Sequence, residues 1–381
     1  MQRLCLAKRF HRRRRNVKLI AGVGDIGGFT FTDVNTPTQM FLTPRFTTTS
    51  SIDYAELAPD QVVRVGTAST DLYETPVNLG NSTDGGKTWN KIYAFDSSYK
   101  SGTVAMSAKG SFIVWAPEGK IPYGGSFYGL KVTNLPANSY VASDRVDDSV
   151  FYAFSDSLFY TGNATVFTAS ANRFAEASVK IKAVPGEKGH VWIPAGSAGL
   201  WYTFYGGKTF GRIDSSVVQI AYVIGFGKAA SSGTYPAMYL TGTCGGKSGI
   251  YMSIDKGATW TRTNNDAHQY GSLNYAITGD MRQYGIVYVG TNGRGIIYKD
   301  ITSGIRQSGG NVKPYRTFYL ERRGKFLMAP VGISFSLFDA RGELVKRGFQ
   351  KKSMSIIDLN GLCPGLYIAR WGDLAKPVPI Q

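Results

Sequence analysis

No stretch of the 381-residue chain approaches the roughly 20 consecutive apolar residues that a membrane helix needs, so no membrane-spanning helix is expected. Cysteine is scarce. Cys5, Cys244 and Cys363 are odd in number and lie far apart, which excludes a disulfide framework. The three histidines, His11, His190 and His268, do not cluster with them, so neither a zinc site nor any other metal or cofactor is expected. The basic N-terminus is followed by no apolar segment and no small-residue cleavage site, and no signal peptide is readable. Export would therefore require residues upstream of this sequence. Acidic residues are the scarcer charge, 26 against 43 Lys and Arg, and the net charge of +17 raises the question of nucleic acid. Its distribution answers it. Residues 1–18 hold eight Lys or Arg and no acid, residues 313–381 hold twelve against five, and the long middle keeps only +2. Charge confined to the ends leaves no groove across the fold, and no zinc-finger or RNA-binding aromatic signature supports one, so no nucleic-acid partner is expected.

What the chain does have is glycine and aromatic side chains: 46 Gly, 21 Phe and 23 Tyr, a composition of many short strands and turns. Two segments repeat. "NSTDGGKTWNKI" (81–92) and "YMSIDKGATWTRT" (251–263) share the pattern Ser-x-Asp-x-Gly-x-Thr-Trp. Weaker copies, each keeping the final aromatic of the box, occur at "YTFYGGKTFGRI", "IPYGGSFYGL" and "FYTGNATVFTAS". The spacing has a mechanical reason. Asp84 or Asp255 can accept hydrogen bonds from the turn backbone, a glycine takes the positive φ of the turn, and Trp89 or Trp260 folds back onto the sheet. This pattern resembles the Asp box of β-propellers, also called the BNR repeat, whose duty is structural.

Strand-like runs recur with the boxes: "QVVRVGTAS", "SFIVWAP", "SVFYAFSDSLFY", "HVWIPAG", "AMYLTGT" and "GIVYVGTNGRGIIYKDI". They begin about every 40 to 50 residues, the length of one four-stranded propeller blade. The expected fold is all-β, a β-propeller of the seven-bladed type over residues 19–303, with residues 19–60 supplying an incomplete first blade. Residues 1–18 read as a basic, solvated and disordered segment. Residues 304–314 read as a linker, and residues 315–381, with their period-two alternation, as a small β-sandwich.

One acid stands out from this turn chemistry. In "AGVGDIGGFTF" (21–31), Asp25 sits among glycines and is followed by Phe29 and Phe31. Glycines permit positive φ and close approach, so the loop is shaped to present a side chain. An isolated Asp in such a loop is nevertheless more often a turn former than a catalyst.

The segments "LIAGVGDIGGFTFTDV", "SIDYAELAPDQVVRVG", "KAVPGEKGHVWIPAGSAGLWYTFYGGKTF", "GFGKAA", "NNDAHQYGSLNYAITGD" and "YGIVYVGTNGRGIIYKDI", in register from about residue 19 to 301, resemble the C-terminal half of glycoside hydrolase family 74. That family comprises xyloglucan-specific endoglucanases and oligoxyloglucan cellobiohydrolases. The resemblance implies two propellers facing each other across a cleft for a β-1,4-glucan with xylosyl branches, and hydrolysis with inversion by one Asp from each propeller. By the G-D-I-G-G-F motif the role of general acid carries over to Asp25, with Phe29 and Phe31 walling its carboxyl from water. An inverting pair stands about 6.5–9.5 Å apart to admit a water, and its acid keeps a proton best in an apolar surround. The general base is expected on an N-terminal propeller half, a partner absent from this sequence, so the isolated chain is expected to be inactive or weak and to derive from a truncated or frame-shifted reading frame. Asp53 and Asp280 also fall in family-like segments, but turn and cap duties account for them.

Sugar rings pack on aromatic faces while their hydroxyls reach polar groups at the rim. Trp115, Trp192 and Trp201 lie outside the boxes at the ends of strand-like runs and are candidate substrate platforms; packing between blades is the alternative for each. The tail "FSLFDARGELVKRG…IDLNGLCPGLYIARW" resembles type IX secretion sorting tails, which implies that the parent enzyme is extracellular or held at the cell surface. A non-catalytic carbohydrate-binding or scaffold propeller is the alternative function. A sialidase is a distant third, because its Phe-Arg-Ile-Pro segment is absent and no arginine triad is apparent.

Overall fold

The 40-to-50-residue period resolves into a succession of antiparallel meanders. A computed structural model describes residues 3–5, 17–36, 38–69, 76–174, 179–230, 233–271, 273, 276–292, 294–301, 321–323, 326–330, 336–339, 343–351, 354–371 and 374–380. These residues are all-β, with no α-helix among them, and the chain divides into two compact units, residues 1–306 and 307–381. No helix of the described residues is long and apolar enough to cross a membrane.

In unit 1 the first sheet holds β1 (Arg3–Cys5), β2 (Leu19–Val23) and β3 (Gly27–Phe31). The second holds β4 (Phe46–Ala55), β5 (Ala58–Ala68), β6 (Leu79–Ser82) and β7 (Asn90–Lys91), and the third β8 (Thr103–Met106), β9 (Ile113–Ala116), β10 (Tyr123–Gly125) and β11 (Lys131–Val132). Next come β12 (Tyr140–Ser143), β13 (Phe151–Ser155), β14 (Leu158–Gly162) and β15 (Phe167–Arg173), then β16 (Lys182–Ala183), β17 (Val191–Pro194), β18 (Leu200–Thr203) and β19 (Gly211–Arg212). A further sheet is made of β20 (Val218–Gly227), β21 (Ala237–Cys244), β22 (Lys247–Ser253) and β23 (Thr261–Arg262), and the last of β24 (Ala276–Gly279), β25 (Ile286–Gly290) and β26 (Ile296–Asp300).

Successive sheets touch, β4 against β8, β8 against β12, β12 against β16, β17 against β20 and β20 against β24, and β24 returns to β1, which meets β4. The sheets thus close a ring, the arrangement of a β-propeller. Its axis is a narrow cavity of about 110 Å³ lined by Ser51, Thr103, Tyr140, Lys182, Val223 and Ala276 among others. The ring shuts between its last and first sheets. Leu19, Ala21, Ala276 and Tyr288 form one buried cluster there, and Arg282 donates through Nη1 to the Val17 carbonyl (2.6 Å) and through Nη2 to that of Lys18 (3.1 Å).

Two expectations shift. The apolar runs read as blade starts are the second strands: "QVVRVGTAS" falls on β5, whose partner β4 lies within the stretch assigned to an incomplete first blade. Residues 19–60 therefore divide between two sheets. Part of the N-terminal segment expected to be disordered is strand β1, which pairs Arg3 with Gly22 and Cys5 with Ile20. The Arg run at 12–15 and the expected linker at 304–314 lie outside the described residues.

Unit 2 has two four-stranded sheets. One orders β27 (Glu321–Arg323), β28 (Phe326–Pro330), β32 (Met354–Asp358) and β31 (Phe349–Lys351). The other orders β30 (Leu344–Arg347), β29 (Ser336–Phe338), β33 (Gly365–Trp371) and β34 (Leu374–Ile380). Leu337 and Ala369 from one sheet and Ile357 from the other share a core, so the sheets pack face to face.

Candidate functional site

An antiparallel meander sends its turns alternately to opposite ends. The turns joining third to fourth strands, which hold Asp84 and Asp255, lie at one end of the ring. The turns joining second to third strands lie at the other, and with them the Asp25 turn and the 291–295 turn of the last sheet.

At the first end both carboxylates are held by their own turns. Asp84 Oδ1 accepts from Ser82 Oγ (2.8 Å), Lys87 N (3.0 Å) and Thr88 N (2.9 Å), while Oδ2 accepts from Thr88 Oγ1 (2.6 Å). Asp255 repeats the pattern with Ser253 Oγ (2.8 Å) and Thr259 N (2.9 Å). Gly86 and Gly257 take φ of 81° and 83°. Trp89 and Trp260 donate Nε1 back to the carbonyls of those glycines at 3.1 and 3.0 Å. A Cβ on Gly86 would come within 2.9 Å of Ile20 of the preceding sheet, so these turns also fasten sheet to sheet.

The Asp25 turn differs. Val23 pairs with Gly27, so three residues connect β2 to β3. Ile26 N donates to the Gly24 carbonyl (2.9 Å) across Asp25 at φ 67°, a γ-turn of the positive-φ form, which is the rarer and more strained kind. Gly28 N closes a second one onto Ile26 O (2.9 Å) across Gly27 at φ 77°. Such strain costs on the order of 1–3 kcal/mol and persists only where the surroundings enforce it. They do so at Gly28, where a Cβ would lie 2.2 Å from the Ala21 carbonyl oxygen and 2.6 Å from the Phe41 ring. Phe41 is in turn held by Arg64, fully buried between the rings of Phe41, Phe46 and Trp89 at 4.6, 4.3 and 4.6 Å and donating to the Thr43 and Pro44 carbonyls. Burial pushes the Arg64 pKa down to about 9, which leaves the guanidinium charged at neutral pH.

The carboxylate of Asp25 is exposed, and it has no hydrogen-bond or ion-pair partner among the described residues. It borders a cavity of about 470 Å³ that runs along the seam of the ring. Phe29 and Phe31, on one face of β3, wall the cavity with their centroids 5.9 Å apart. The opposite wall comes from the last sheet: Tyr288, Ile296 and Tyr298, with Thr291 and Asn292 at the turn. Tyr298 is exposed and its hydroxyl donates to Asn35 Oδ1 (2.8 Å), tying the two walls together. The volume falls in the range of ligand sites, and its mix of aromatic walls and few polar groups suits a sugar.

The structure thus brings Asp25, Phe29 and Phe31 together, but the exposure of Asp25 departs from the expectation of a carboxyl already walled from water. The tryptophan platforms need correction. Trp115 and Trp192 are 1% and 0% exposed, and their Nε1 atoms donate to Ser101 O (2.9 Å) and Tyr235 Oη (3.0 Å), so neither offers a face to a sugar. Trp192, like Tyr152, is the second residue of a second strand, and it packs toward Gly257 of the next sheet. Trp201 is half-buried against Phe174 (5.4 Å) and under Arg212 (5.6 Å), away from the Asp25 cavity. Tyr298 escaped sequence reading because it lies far from Asp25 along the chain; ring closure in the "GIIYKDI" strand was the signal available.

Asp53 and Asp280 hold the fold. Asp53, 5% exposed, pairs with buried Arg145 (2.7 Å) and accepts from Met106 N (2.8 Å). Burial would raise the Asp280 carboxyl pKa, but the hydrogen bonds and charge of Arg282 outweigh it and hold it low. Arg282 is the same side chain that grips Val17 and Lys18.

No protein-family model matches the chain. A xyloglucanase of Paenibacillus sp is 38% identical over 311 residues, which covers 78% of this chain and 30% of that protein. Xyloglucanase Xgh74A of Acetivibrio thermocellus is 40% identical over 292 residues, 75% of this chain and 34% of its own. The GH74 xyloglucanase of Xanthomonas campestris superposes with a TM-score of 0.68 at 32% identity, covering 75% of this chain and 42% of that one. The chain therefore spans about a third of the length of the curated relatives it matches, and over about three quarters of its own length it is homologous to GH74 xyloglucanases.

Proposed function

We propose, from that homology, that this chain is the acid-bearing part of an inverting glycoside hydrolase that cleaves the β-1,4-glucan backbone of xyloglucan. Asp25 is the general acid. The observation that carries the reading is an exposed carboxylate on a strained turn, with no partner among the described residues, set beside two phenylalanines at the mouth of a cavity of sugar-binding size. In the reaction, the protonated Asp25 carboxyl gives its proton to the glycosidic oxygen as the anomeric C–O bond breaks. A water on the opposite face of the ring forms the new bond and yields its proton to a general base about 6.5–9.5 Å away. The leaving chain departs with a new 4-hydroxyl, and the cleaved sugar begins as the α-anomer. The base is supplied by an N-terminal propeller outside this sequence, and that half also covers Asp25 and excludes bulk water. Phe29, Phe31 and Tyr298 pack on glucose faces and fix the oxygen in reach. In the same reading the Asp84 and Asp255 turns are Asp boxes, unit 2 is an export-sorting tail, and the parent enzyme works outside the cell or on its surface; recovery of the protein from cytosol alone would overturn that last assignment.

Asp25 is the one carboxyl among the described residues lining the cavity, which favours as a second reading a non-catalytic carbohydrate-binding propeller. One experiment separates the two. The chain is combined with the N-terminal propeller of a matching xyloglucanase, and reducing ends released from xyloglucan are counted, with proton NMR reading the first-formed anomer. Cleavage that appears on combination and vanishes in Asp25→Asn supports the hydrolase. Unchanged turnover in Asp25→Asn removes the residue from catalysis, and retention on xyloglucan with no new reducing ends from any combination establishes the binding protein.

A further inference from the structure

The two glycines that follow Ile26 in the Asp25 turn both rest on one piece of chain. A Cβ on Gly27 (φ 77°) would come within 2.9 Å of the Phe46 carbonyl oxygen, and one on Gly28 within 2.6 Å of the Phe41 ring. Phe41 N also donates to the Gly28 carbonyl (2.8 Å), and Met40 bridges to Phe29. Residues 40–46, on the way from β3 to β4, are therefore a base plate under the acid. Arg64 holds that plate. It projects from β5 on the face where Val62, two positions earlier, packs with Val17, Ile20 and Phe41. Its guanidinium lies 4.6 and 4.3 Å from the ring centroids of Phe41 and Phe46, the two residues that the glycines touch, and Trp89 at 4.6 Å completes the cage. Between those two rings in sequence, the carbonyls of Thr43 (3.3 Å) and Pro44 (2.5 Å) accept from its Nη2.

As a source of stability the arrangement is poor. The side chain is wholly buried, burial alone shifts its pKa, and Nε and Nη1 find no hydrogen-bond partner among the described residues. Three ring faces offset part of the desolvation cost. An apolar side chain of similar length would fill the same space without that cost. What it would not supply is direction, since a planar guanidinium bonded to two successive carbonyls and stacked on the rings fixes the path of the strap. Arg64 does not line the Asp25 cavity, so its influence on a bound molecule passes through the strap. We propose that Arg64 is a positioning residue: by fixing Phe41 and Phe46 beneath Gly28 and Gly27, it holds the Asp25 carboxyl in reach of the glycosidic oxygen without touching the substrate. The effect on cleavage rests on the xyloglucan reading above, whereas the hold on the turn is tested without substrate.

Arg64→Met is compared with the parent in two measurements. On the full chain alone, hydrogen exchange is expected to quicken about tenfold at the Gly28 and Phe41 amides, whose bonds close the turn and tie it to the strap. The Gly257 amide, bonded to Ser253 Oγ in a turn of another sheet, should keep its rate. In the chain combined with the N-terminal propeller of a matching xyloglucanase, kcat is expected to fall about 10–100-fold with KM unchanged, the effect of a misplacement of roughly 1 Å. Arg64→Lys, which keeps the charge and a donor to the strap, should restore part of that loss. Phe41→Leu leaves Arg64 in place and opens space beneath Gly28, and it should repeat both effects if Arg64→Met does not fold. Unchanged exchange at Gly28 and Phe41, exchange that rises equally at Gly257, or loosened amides with kcat intact would overturn the positioning role. Full activity in Asp25→Asn would instead remove the general acid, a result the exchange rates cannot mimic.

Discussion

Asp84 and Asp25, at opposite ends of the ring, use the same residue type in opposite ways. At Asp84 a glycine neighbour takes the positive φ, 74° at Gly85, and the carboxylate is fully occupied by its own turn. At Asp25 the acid itself takes φ 67°, and its carboxylate is bonded to nothing within the described residues. Local hydrogen bonding rewards Asp in a turn because its oxygens satisfy backbone donors. Where that reward is missing and strain remains, local turn chemistry does not account for the acid, and that is the contrast on which the proposed role of Asp25 rests.

The comparison can be broken most decisively at Asp25. In the combined enzyme, Asp25→Asn is expected to lower xyloglucan cleavage by about 10²–10⁴-fold, while the unfolding free energy of the chain, read from urea titration, stays within about 0.5 kcal/mol of the parent. A comparable loss of stability would make Asp25 another structural turn. Next in size is Gly28→Ala, whose added carbon collides with the Ala21 carbonyl and Phe41; denaturation should reveal a loss of about 3 kcal/mol. Asp84→Ala strands several turn donors and is expected to cost about 2 kcal/mol without altering the rate per folded molecule. Its acid response adds detail. Burial pushes the Asp84 carboxyl up, and bonds from Thr88, Ser82 and Lys87 outweigh it and hold it low. A depressed native value gives stability that is complete above about pH 4 and fades as pH falls further, so the Ala variant should lose less than the parent between pH 5 and 3. The smallest effect sharpens the contrast: Asp25→Gly relieves the strained φ and is expected to raise stability by about 1 kcal/mol while abolishing cleavage. No gain in melting temperature would remove strain from the account.

What the sequence displays well is whatever is buried on both faces. Second strands such as β9, β13 and β17 lie between neighbouring sheets, so their residues are apolar in unbroken runs and the blade period can be counted from them. First strands carry polar residues toward the axis, as β4 does with Thr and Ser, and fourth strands such as β7 are only two residues long, so both escape notice. The same burial misleads at Trp115 and Trp192, because a large aromatic at a strand end looks alike whether it faces solvent or the next sheet. Asp25 and its two phenylalanines were legible because they are adjacent in sequence and carry a family-like motif. The other wall of their cavity was not, since it is assembled by contact between the two ends of unit 1.

That seam joins Val17 to Arg282, 265 positions apart, by side-chain bonds and a small apolar cluster. An oligosaccharide bridging Phe31 and Tyr298 would act there as a clasp, adding binding energy to the joint that closes the ring and slowing amide exchange along β2 and β26. Saturating sugar at a hundred times its dissociation constant would stiffen the native state by about 2.7 kcal/mol.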